Sequence, residues 1–584
     1  MRTEYYSGLR SVISVVAGAI GFGSGVLLFS SGAPAQTASQ ITPQTFAPPV
    51  QGGLGGGVGV GATPGLDTPP GAEKLFVRLR DIRVEGGFPE LGDETAAIRA
   101  KLMGQRVSGA AIFAAARELE AAYAKAGYVL VRVTLPPQKL VSGAVLRLVV
   151  IDGMIERIET KGVPERVRAR IAAVVGPLTG RRGLMLRELE RRILLAGDTP
   201  GVILSSTLAP GSVTGATVLV IEAKYQPVNG IFTADNSLAR ELGRYQIGTG
   251  ADFNSVFGFG ELGYVRVNGD PGDGFFSDHP RNRSLAAGEI VPLGIDGLTF
   301  NVEATDARTT PEASGGTQAS DQFDRLSFRL REPWIRSRDF NFAQQLVFDL
   351  QDERDGLIEP AALPLFQDRL RIVRLVNEAN YLTSWGATIS GALTGSAGLD
   401  VLGARTAADA TPTLPLSRQG ADATFAKVDG TLGYTQAFQE HFTGSFTVRG
   451  QYSFGSALLD SEQIGIAGPG SLSAFDAGTL QGDSGVVGRG ELAAPFALPA
   501  LFGTVGIVAS PYVFGAIGEV FLEDPTVLER GEITAGSYGF GVHLGGGAAG
   551  TLSNGSLTLE FSRQARDDGV KDDNRFTLVT SIRF

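Results

Sequence analysis

The last nine residues, 576–584, alternate strictly between apolar and polar side chains. The apolar positions are Phe576, Leu578, Ile582 and Phe584, and the polar positions include Thr577, Ser581 and Arg583. A terminal aromatic that closes an apolar-out, polar-in strand is typical of a β-barrel in a lipid bilayer, where the last strand must complete the sheet. The last strand of a soluble β-domain could show the same pattern, so the rest of the chain has to decide between the two.

Alternating runs of this kind continue through residues 226–584. In the run 442–453 one face is apolar, at Phe442, Phe446, Val448 and Tyr452. Polar and charged residues that face inward along many strands indicate a wet interior, as in pores, whereas soluble β-sandwiches have apolar interiors. At roughly 22 residues per strand with its loop, this region gives about 16 strands. The sequence therefore predicts a transmembrane antiparallel β-barrel that Phe584 closes.

Composition limits the partners and the chemistry. The chain of 584 residues has no cysteine and 3 histidines, so disulfides are excluded and a histidine-rich metal site is not expected. Its net charge of −10 disfavours nucleic acid, because phosphate binding needs clustered lysine and arginine. We expect no cofactor, and we expect proteins and the lipid bilayer as partners.

The N-terminal region reads as an export signal followed by a spacer. Arg2 and Arg10 precede an apolar run, and Ala33-Pro-Ala35 forms a small-x-small cleavage site, so residues 1–35 are predicted to be a signal peptide. A membrane-anchoring helix is the alternative for this run. Residues 36–73 are rich in proline and glycine and nearly uncharged, which predicts a flexible linker.

Two small α/β modules follow the linker, each with the order β-α-α-β-β. The first spans residues 74–152, and the second spans residues 153–225. In the first module Ser108 is placed to cap a helix with one apolar face. Neither module holds a nucleophile with a general base, so we expect binding domains and not an enzyme.

Short motifs along the chain resemble the haemolysin/haemagglutinin secretion-and-activation transporters, the two-partner secretion branch of the outer-membrane barrel-assembly superfamily. In the first module these are Gly127-Tyr128, Leu135-Pro-Pro-Gln138, Leu140, Gly143 and Gly153-Met-Ile155. In the second they are Asp198-Thr-Pro-Gly201 and Leu208-Ala-Pro-Gly211. At the start of the barrel they are Asp235-Asn236, Gly243-Arg-Tyr245, Asn254 and Gly258-Phe-Gly260, with Glu261 where the family usually has aspartate. The modules thus resemble POTRA (polypeptide-transport-associated) domains.

The resemblance also implies a long loop, near 461–492, that folds back into the barrel. In the family its tip carries a Val-Arg-Gly-Tyr/Phe tetrad, whose arginine pairs with an aspartate in a Phe-x-Asp-x-Gly motif on a later strand. Here the tip reads Leu472-Ser473-Ala474-Phe475, followed by Asp476, and the strand reads Phe514-Gly-Ala516-Ile-Gly518, so both charges are missing. We expect Ser473 and Ala516 to lie close together in an uncharged contact, and we expect Asp483 to have a role near the end of the loop.

The resemblance implies a function in protein export. The POTRA pair would capture an unfolded exoprotein of haemolysin or adhesin type in the periplasm of a Gram-negative bacterium, and the barrel in the outer membrane would conduct it. Tyr128, Leu135, Pro136 and Gln138 are the candidate cargo-binding residues, and the barrel-assembly machinery is the expected insertion partner. An assembly factor for outer-membrane proteins and a passive porin or receptor remain alternatives. The family also carries an N-terminal helix that plugs the pore, but residues 36–71 show no amphipathic helix, so we expect no such plug.

Overall fold

The structure is a computed structural model that describes residues 36–49, 58–60, 67–272, 274–439, 441–501, 505–548, 550–567 and 572–584. The predicted signal peptide, residues 1–35, lies outside these ranges. Within the described ranges, no helix combines the length and the hydropathy that crossing a membrane requires. Two short elements come first, helix α1 (Ala38–Ile41) and strand β1 (Val58–Val60).

The first POTRA module forms a three-stranded sheet with two helices packed on it. Its elements are β2 (Phe76–Arg78), β3 (Asp81–Glu85), α2 (Gly92–Leu102), β4 (Arg106–Ser108), α3 (Gly109–Lys125), β5 (Arg132–Thr134) and β6 (Val145–Ile151). The sheet order is β3-β6-β5, and β2 pairs with β4 instead of joining this sheet. Ser108 caps α3 as predicted, since its Oγ accepts a hydrogen bond of 3.1 Å from the N–H of Ala111. The predicted apolar face of α3 is buried in the core of the module.

Across its described residues, the second module has the predicted order β-α-α-β-β, without a counterpart of the β2–β4 pair. Its elements are β7 (Met154–Gly162), α4 (Glu165–Val175), α5 (Leu186–Gly197), β8 (Val202–Pro210) and β9 (Ala216–Tyr225). Strand β1 extends the sheet to the order β1-β8-β9-β7, pairing parallel to β8 with Val58 opposite Ser206. Part of the predicted linker is therefore an edge strand of the second module. The pairing uses the main chain of only three residues of β1, so no side-chain pattern in the sequence indicates it.

Strands that run antiparallel to their neighbours make up the rest of the chain. They are β10 (Val228–Asp235), β11 (Gln246–Asn254), β12 (Leu262–Gly269), β13 (Asn282–Pro292), β14 (Thr299–Thr309), β15 (Gln318–Arg336), β16 (Phe340–Glu359), β17 (Leu363–Leu382), β18 (Thr388–Gly398), β19 (Ala426–Phe438), β20 (Phe442–Tyr452), β21 (Ile464–Gly465), β22 (Gln481–Gly482), β23 (Ser484–Ala493), β24 (Phe496–Leu501), β25 (Val505–Phe521), β26 (Glu532–Ala548), β27 (Asn554–Arg566) and β28 (Asn574–Arg583). All of them except β21 and β22 form one closed barrel.

The barrel built by these described residues has 16 strands, because β23 and β24 both pair with β25 and form one strand interrupted at Ala494-Pro495. The predicted barrel is thus confirmed. Strand β28 closes the sheet on β10, and its two faces are as predicted: Phe576, Ile582 and Phe584 are exposed outward, whereas Thr577 is buried.

The second POTRA module is tied to one end of the barrel by arginine contacts. The carboxylate of Asp198, which follows α5, accepts two hydrogen bonds of 2.7 and 2.9 Å from the guanidinium of Arg336 at the end of β15. Arg166 and Arg170 of α4 donate to the main-chain oxygens of Val256 and Gly294, in two barrel turns, at 2.7 and 2.5 Å. These bonds hold the module against that end of the barrel.

Candidate functional site

A long loop between β20 and β23, residues 453–483, folds back into the barrel and is called the lumenal loop below. Strands β21 and β22 pair within it and form the stem of a hairpin. Its tip, Leu472 to Phe475, is buried. The predicted range of 461–492 differs at its end, because residues 484–493 are barrel strand β23. Alternation explains this difference: Val486 and Leu492 face outward, whereas Val487 and Arg489 are buried.

The tip of the lumenal loop is held by an arginine of the barrel wall. Arg489 of β23 donates a hydrogen bond of 3.0 Å to Oγ of Ser473 and one of 3.3 Å to the main-chain oxygen of Ser471. Its guanidinium lies 3.7 Å from the centre of the Phe514 ring, a cation–π contact. Phe514 of β25 therefore lies against the arginine that holds the loop.

Two carboxylates pair with Arg489 inside the wall. Glu560 of β27 accepts a hydrogen bond of 2.5 Å from Arg489 and one of 2.7 Å from the hydroxyl of Tyr512, and Glu491 lies 2.6 Å from Arg489. The expectation of an uncharged contact at the tip is therefore wrong. The tip itself is neutral, but inward positions of β23 and β27 supply a buried ion pair beside it.

The other two predicted wall positions shape the space for the loop. Ala516 of β25 lies directly opposite Arg489, so a small side chain leaves room beside the guanidinium. At Gly518, a Cβ atom would lie 3.0 Å from Cδ1 of Ile466 in the lumenal loop. Glycine at this position therefore lets the loop pack closely against the wall.

The remaining tip residues contact the strands near the barrel seam. The N–H of Ala474 donates a hydrogen bond of 3.1 Å to Oγ of Ser537. The carbonyl oxygen of Ala474 accepts one of 2.9 Å from the side-chain amide of Gln564. Phe475 is buried in an apolar cluster between loop and wall. Asp476 forms an ion pair with Arg575 of the last strand.

The base of the lumenal loop is fixed by Asp483, which is fully buried. Its carboxylate accepts hydrogen bonds of 2.9 Å from the N–H of Leu458 and 2.7 Å from the N–H of Glu523, and it forms an ion pair with Arg418. These bonds join both ends of the lumenal loop to two other loops, the one between β18 and β19 and the one between β25 and β26. Asp483 thus connects three loops through its buried carboxylate.

A second buried carboxylate, Glu462, ties the loop to the opposite wall. Arg374 of β17 donates to it at 2.6 and 2.9 Å, and Nζ of Lys427 of β19 lies 2.9 Å away. Burial alone would raise the pKa of Glu462, but the charges of Arg374 and Lys427 outweigh it and lower the pKa to about 2. Glu462 is therefore ionised at neutral pH and holds two wall cations.

The segment that follows the predicted cleavage site, residues 36–49, also lies in the lumen and is called the N-terminal segment below. Three of its N–H groups donate hydrogen bonds to carboxylates of the wall. Ala38 donates to Asp321 at 2.7 Å, Ser39 to Glu353 at 3.3 Å and Phe46 to Glu303 at 2.9 Å. This finding differs from the expectation of a linker without a plug. Helix α1 is only 4 residues long, and polar wall groups hold it, so no amphipathic pattern is needed.

The candidate cargo-binding residues of the first POTRA module mostly serve its own structure. The ring of Tyr128 packs edge-to-face on Phe88 at 4.9 Å, and Leu135 packs on the same core. Gln138 makes two hydrogen bonds, of 2.8 and 2.9 Å, with the main chain of Arg147 on β6. Pro136 lies half-buried between them. Their role in cargo binding stays a prediction.

The two POTRA sheets present different edges. In the first module the N–H of Val133, on edge strand β5, donates 2.8 Å to the carboxylate of Glu120 on α3. In the second module β8 has β1 along its outer side. A side chain caps the first edge, whereas the second edge already accepts an added strand.

At the barrel seam Phe584 continues the pairing of β28 with β10. The main chains of Phe584 and Gly230 form two reciprocal hydrogen bonds. The N–H of Phe584 donates to the oxygen of Gly230 at 3.0 Å, and the N–H of Gly230 donates to the oxygen of Phe584 at 2.8 Å. A Cβ atom at position 230 would lie 2.3 Å from the Phe584 ring, so glycine is required for this contact. In the described residues, no group of three or more His, Cys, Asp or Glu side chains could hold a metal ion.

Sequence reasoning had not assigned a role to Arg489, Glu560, Arg374 or Glu462. Only their inward position in alternating strands could have identified them, and alternation does not say which inward residues meet across the lumen. Arg489 and Glu560 are 71 residues apart in sequence.

Comparisons with known proteins agree with this architecture. Residues 215–542 match the family model "Haemolysin secretion/activation protein ShlB/FhaC/HecB", and residues 77–153 match "POTRA domain, ShlB-type". The outer membrane transporter CdiB of Dickeya dadantii is 27% identical over 380 residues, which cover 63% of this chain and 64% of the relative. The heme/hemopexin transporter protein HuxB of Haemophilus influenzae is 23% identical over 269 residues, covering 45% and 46% of the two chains. The alignments thus span less than two thirds of these relatives.

Solved structures show the same fold. CdiB from Escherichia coli matches with a TM-score of 0.66 at 19% identity, covering 94% of both chains. CdiB from Acinetobacter baumannii matches with a TM-score of 0.59 at 15% identity, covering 87% of this chain and 90% of that chain.

Proposed function

Because the chain belongs to the ShlB/FhaC/HecB family of haemolysin secretion and activation proteins, outer-membrane transporters and not enzymes, we propose that it exports an unfolded exoprotein through its barrel. The cargo would be of haemolysin or adhesin type and would be captured in the periplasm. The periplasm holds no ATP, so folding of the cargo outside the cell would supply the direction.

Capture would take place at the edge of the second POTRA sheet. Adding a strand to a sheet edge recognises main-chain groups more than side chains, which suits an unfolded cargo of varied sequence. Strand β8 carries β1 on this edge, and β5 of the first module is capped by Glu120. The occupied edge of β8 is the single observation that carries the proposal, because it is a built acceptor for an extended chain.

Transport then requires the lumen to be cleared. The lumenal loop and the N-terminal segment both lie inside the barrel, and the N-terminal segment precedes β1 by only a few residues. A cargo strand that replaced β1 on β8 would release the chain just after the N-terminal segment. Capture and opening of the pore would thus be linked through one stretch of chain.

Insertion of the barrel would depend on the barrel-assembly machinery, with the last strand and Phe584 as its recognition signal. Support comes from the pairing of Phe584 with Gly230, which completes the closing seam.

The four cargo-binding candidates of the first module, Tyr128, Leu135, Pro136 and Gln138, would act indirectly in capture, by supporting the core and edge of that module.

A disulfide across β1 and β8 tests the proposal. Gly59→Cys with Thr207→Cys places two thiols at paired positions of a chain that has no native cysteine. In a strain that expresses a co-encoded exoprotein, we expect the oxidised variant to stop secretion and the reduced variant to restore it. The matched control is Ser205→Cys with Glu222→Cys, which links β8 to β9 and leaves the outer edge unchanged.

Secretion that continues with the β1–β8 disulfide fully formed would contradict capture at this edge. Secretion that never occurs with the wild-type chain, together with defective assembly of other outer-membrane proteins in its absence, would favour the assembly-factor alternative. A large ion conductance of the wild-type chain without cargo would favour a passive porin.

A further inference from the structure

A groove on the first POTRA module lies away from the sheet edge β5. It has a volume of about 540 Å³ and is lined by Phe76 to Arg80, Arg106, Ser142 and Gly143. Its wall is formed where β2 runs beside the turn before β6. Two hydrogen bonds join them: the N–H of Gly143 donates to the oxygen of Arg78 at 2.8 Å, and the N–H of Arg80 donates to the oxygen of Ala144 at 2.9 Å. The groove is called the β2 groove below.

Three exposed arginines line the β2 groove. Arg78, Arg80 and Arg106 are exposed, and in the part of the chain that the structure describes none of them forms an ion pair. Other arginines of the same module are paired, Arg99 with Asp81 and Arg147 with Glu85. Arg80 lies next to Asp81, but that carboxylate is already paired with Arg99, so the groove keeps an excess of positive charge in a chain whose net charge is −10.

Apolar side chains accompany these cations. Leu75, Phe76 and Val141 are 70%, 53% and 67% exposed. The guanidinium of Arg106 lies 4.9 Å from the centre of the Phe76 ring. Exposed apolar groups beside unpaired arginines are typical of surfaces that bind another chain.

The spacing of the exposed residues from β2 to the bend at Arg80 fits an extended peptide. Phe76, Arg78 and Arg80 are exposed, whereas Val77 and Leu79 between them are buried. Side chains at every second position of an extended chain lie about 7 Å apart on one face. A bound extended segment that alternates in the same way could place an apolar side chain against Phe76 and carboxylates against the two arginines.

We propose that the β2 groove binds an acidic segment of the unfolded cargo, in an extended conformation with aspartate or glutamate at every second position and apolar residues nearby. The inference rests on the proposed function and adds to it a second contact, separate from the edge of β8. Arginine suits this task because its planar guanidinium can bind a carboxylate through two parallel hydrogen bonds.

The test uses the full chain in lipid nanodiscs and a fluorescent 12-residue peptide in which aspartate alternates with phenylalanine and valine. The comparison peptide has lysine in place of each aspartate. By fluorescence anisotropy we expect the acidic peptide to bind at least about tenfold more tightly than the basic one, and we expect added salt to weaken this binding.

Charge-reversed variants locate the site. Arg78→Glu with Arg106→Glu should weaken binding of the acidic peptide by about tenfold or more, since two attractive contacts become repulsive. The matched control, Arg83→Glu with Lys125→Glu, makes the same charge change at exposed positions outside the groove and should have a much smaller effect. Both doubles change exposed residues, and circular dichroism with heat-modifiable migration would verify folding.

Several results would overturn the proposal. These are equal binding of the two peptides, equal losses in the two double variants, or displacement of the peptide by phosphatidylglycerol vesicles, which would indicate a lipid headgroup as the ligand. Unchanged secretion by the groove variant would also overturn it, since the cargo would then not need the groove. The proposed function is judged separately, by whether the wild-type chain secretes its exoprotein at all.

Discussion

The guanidinium of Arg489, on the barrel wall, donates a hydrogen bond of 3.0 Å to the hydroxyl of Ser473, at the tip of the lumenal loop. In the relatives that the loop resembles, the arginine is carried by the loop. Here the charged groups Arg489, Glu560 and Glu491 all belong to the wall. The tip of the loop can therefore detach from Arg489 without separating a buried ion pair, whereas release of the whole loop also has to separate Glu462 from Arg374 and Lys427.

Removal of the wall cation should be far more damaging than removal of its loop contact. Arg489→Met leaves Glu560 and Glu491 partly buried without their cation, and breaking a buried pair on one side costs about 3–5 kcal/mol. We expect the barrel to unfold at a lower temperature, as measured by heat-modifiable migration, and we expect proteases to cleave the lumenal loop more readily. Adding Glu560→Gln to Arg489→Met should recover part of the loss, with a coupling of about 0.5–3 kcal/mol. Simply additive effects would show that the two residues do not form a pair.

Ser473→Ala should affect the loop and spare the barrel. The substitution removes a hydrogen bond to a charged group, worth about 1.5–3 kcal/mol, while Arg489 keeps both carboxylates. Protease cleavage of the lumenal loop should become faster, and the temperature at which the barrel unfolds should stay unchanged. Ser471→Ala is the matched control, because Ser471 contacts Arg489 through its main-chain oxygen. Equal protease sensitivity of the two variants would contradict a specific role for the Ser473 hydroxyl.

Much of the fold could be predicted because local patterns determine it. The apolar face of α3 and the alternation in β20 and β28 each follow from a few neighbouring residues, and the structure has them as predicted. Family motifs add their own contacts: Asp198 binds Arg336, and Glu261, in place of the usual aspartate, accepts hydrogen bonds of 2.5 and 3.2 Å from two N–H groups of its own turn.

The candidate site was less predictable because its contacts join distant strands. Which inward residues meet depends on strand register and on the path of the loop, and a shift of two residues preserves the alternation while changing every lumenal neighbour. This is why Glu560 could be placed facing inward but not against Arg489. The N-terminal segment was missed for a similar reason, since the carboxylate that binds Ala38 lies 283 residues away.

Glu462 should anchor the lumenal loop in a pH-dependent way. Its pKa is lowered from 4.5 to about 2, so its contribution to stability is complete above about pH 4.5 and is lost as the pH falls towards 2. Glu462→Gln should cost about 3–5 kcal/mol at pH 7, because Arg374 and Lys427 lose their shared carboxylate. The difference between wild type and variant should shrink below about pH 4.5.

Thermal unfolding in detergent between pH 3 and pH 8, followed by tryptophan fluorescence, would measure this difference. Asp400→Asn removes an exposed extracellular carboxylate and serves as the control, with little change expected at any pH. A constant difference between wild type and Glu462→Gln across this range would show that ionisation of Glu462 is not what the wall cations stabilise.

Phe584→Ala should impair assembly of the barrel more than secretion by the barrels that do assemble. The substitution removes outward-facing aromatic area worth roughly 1.5–3 kcal/mol on burial and alters the end of the closing strand. Phe576→Ala removes the same ring from the same outward face of β28, but away from the chain terminus, and is the matched control.

Heat-modifiable migration of membrane-extracted protein gives the assembled fraction, and secreted cargo divided by that fraction gives the activity per barrel. We expect Phe584→Ala to reduce the assembled fraction more than Phe576→Ala does, with activity per barrel near the wild-type value in both. Equal assembly defects would mean that only lipid-facing area matters, and a normal assembled fraction in Phe584→Ala would remove the terminal aromatic from the recognition signal.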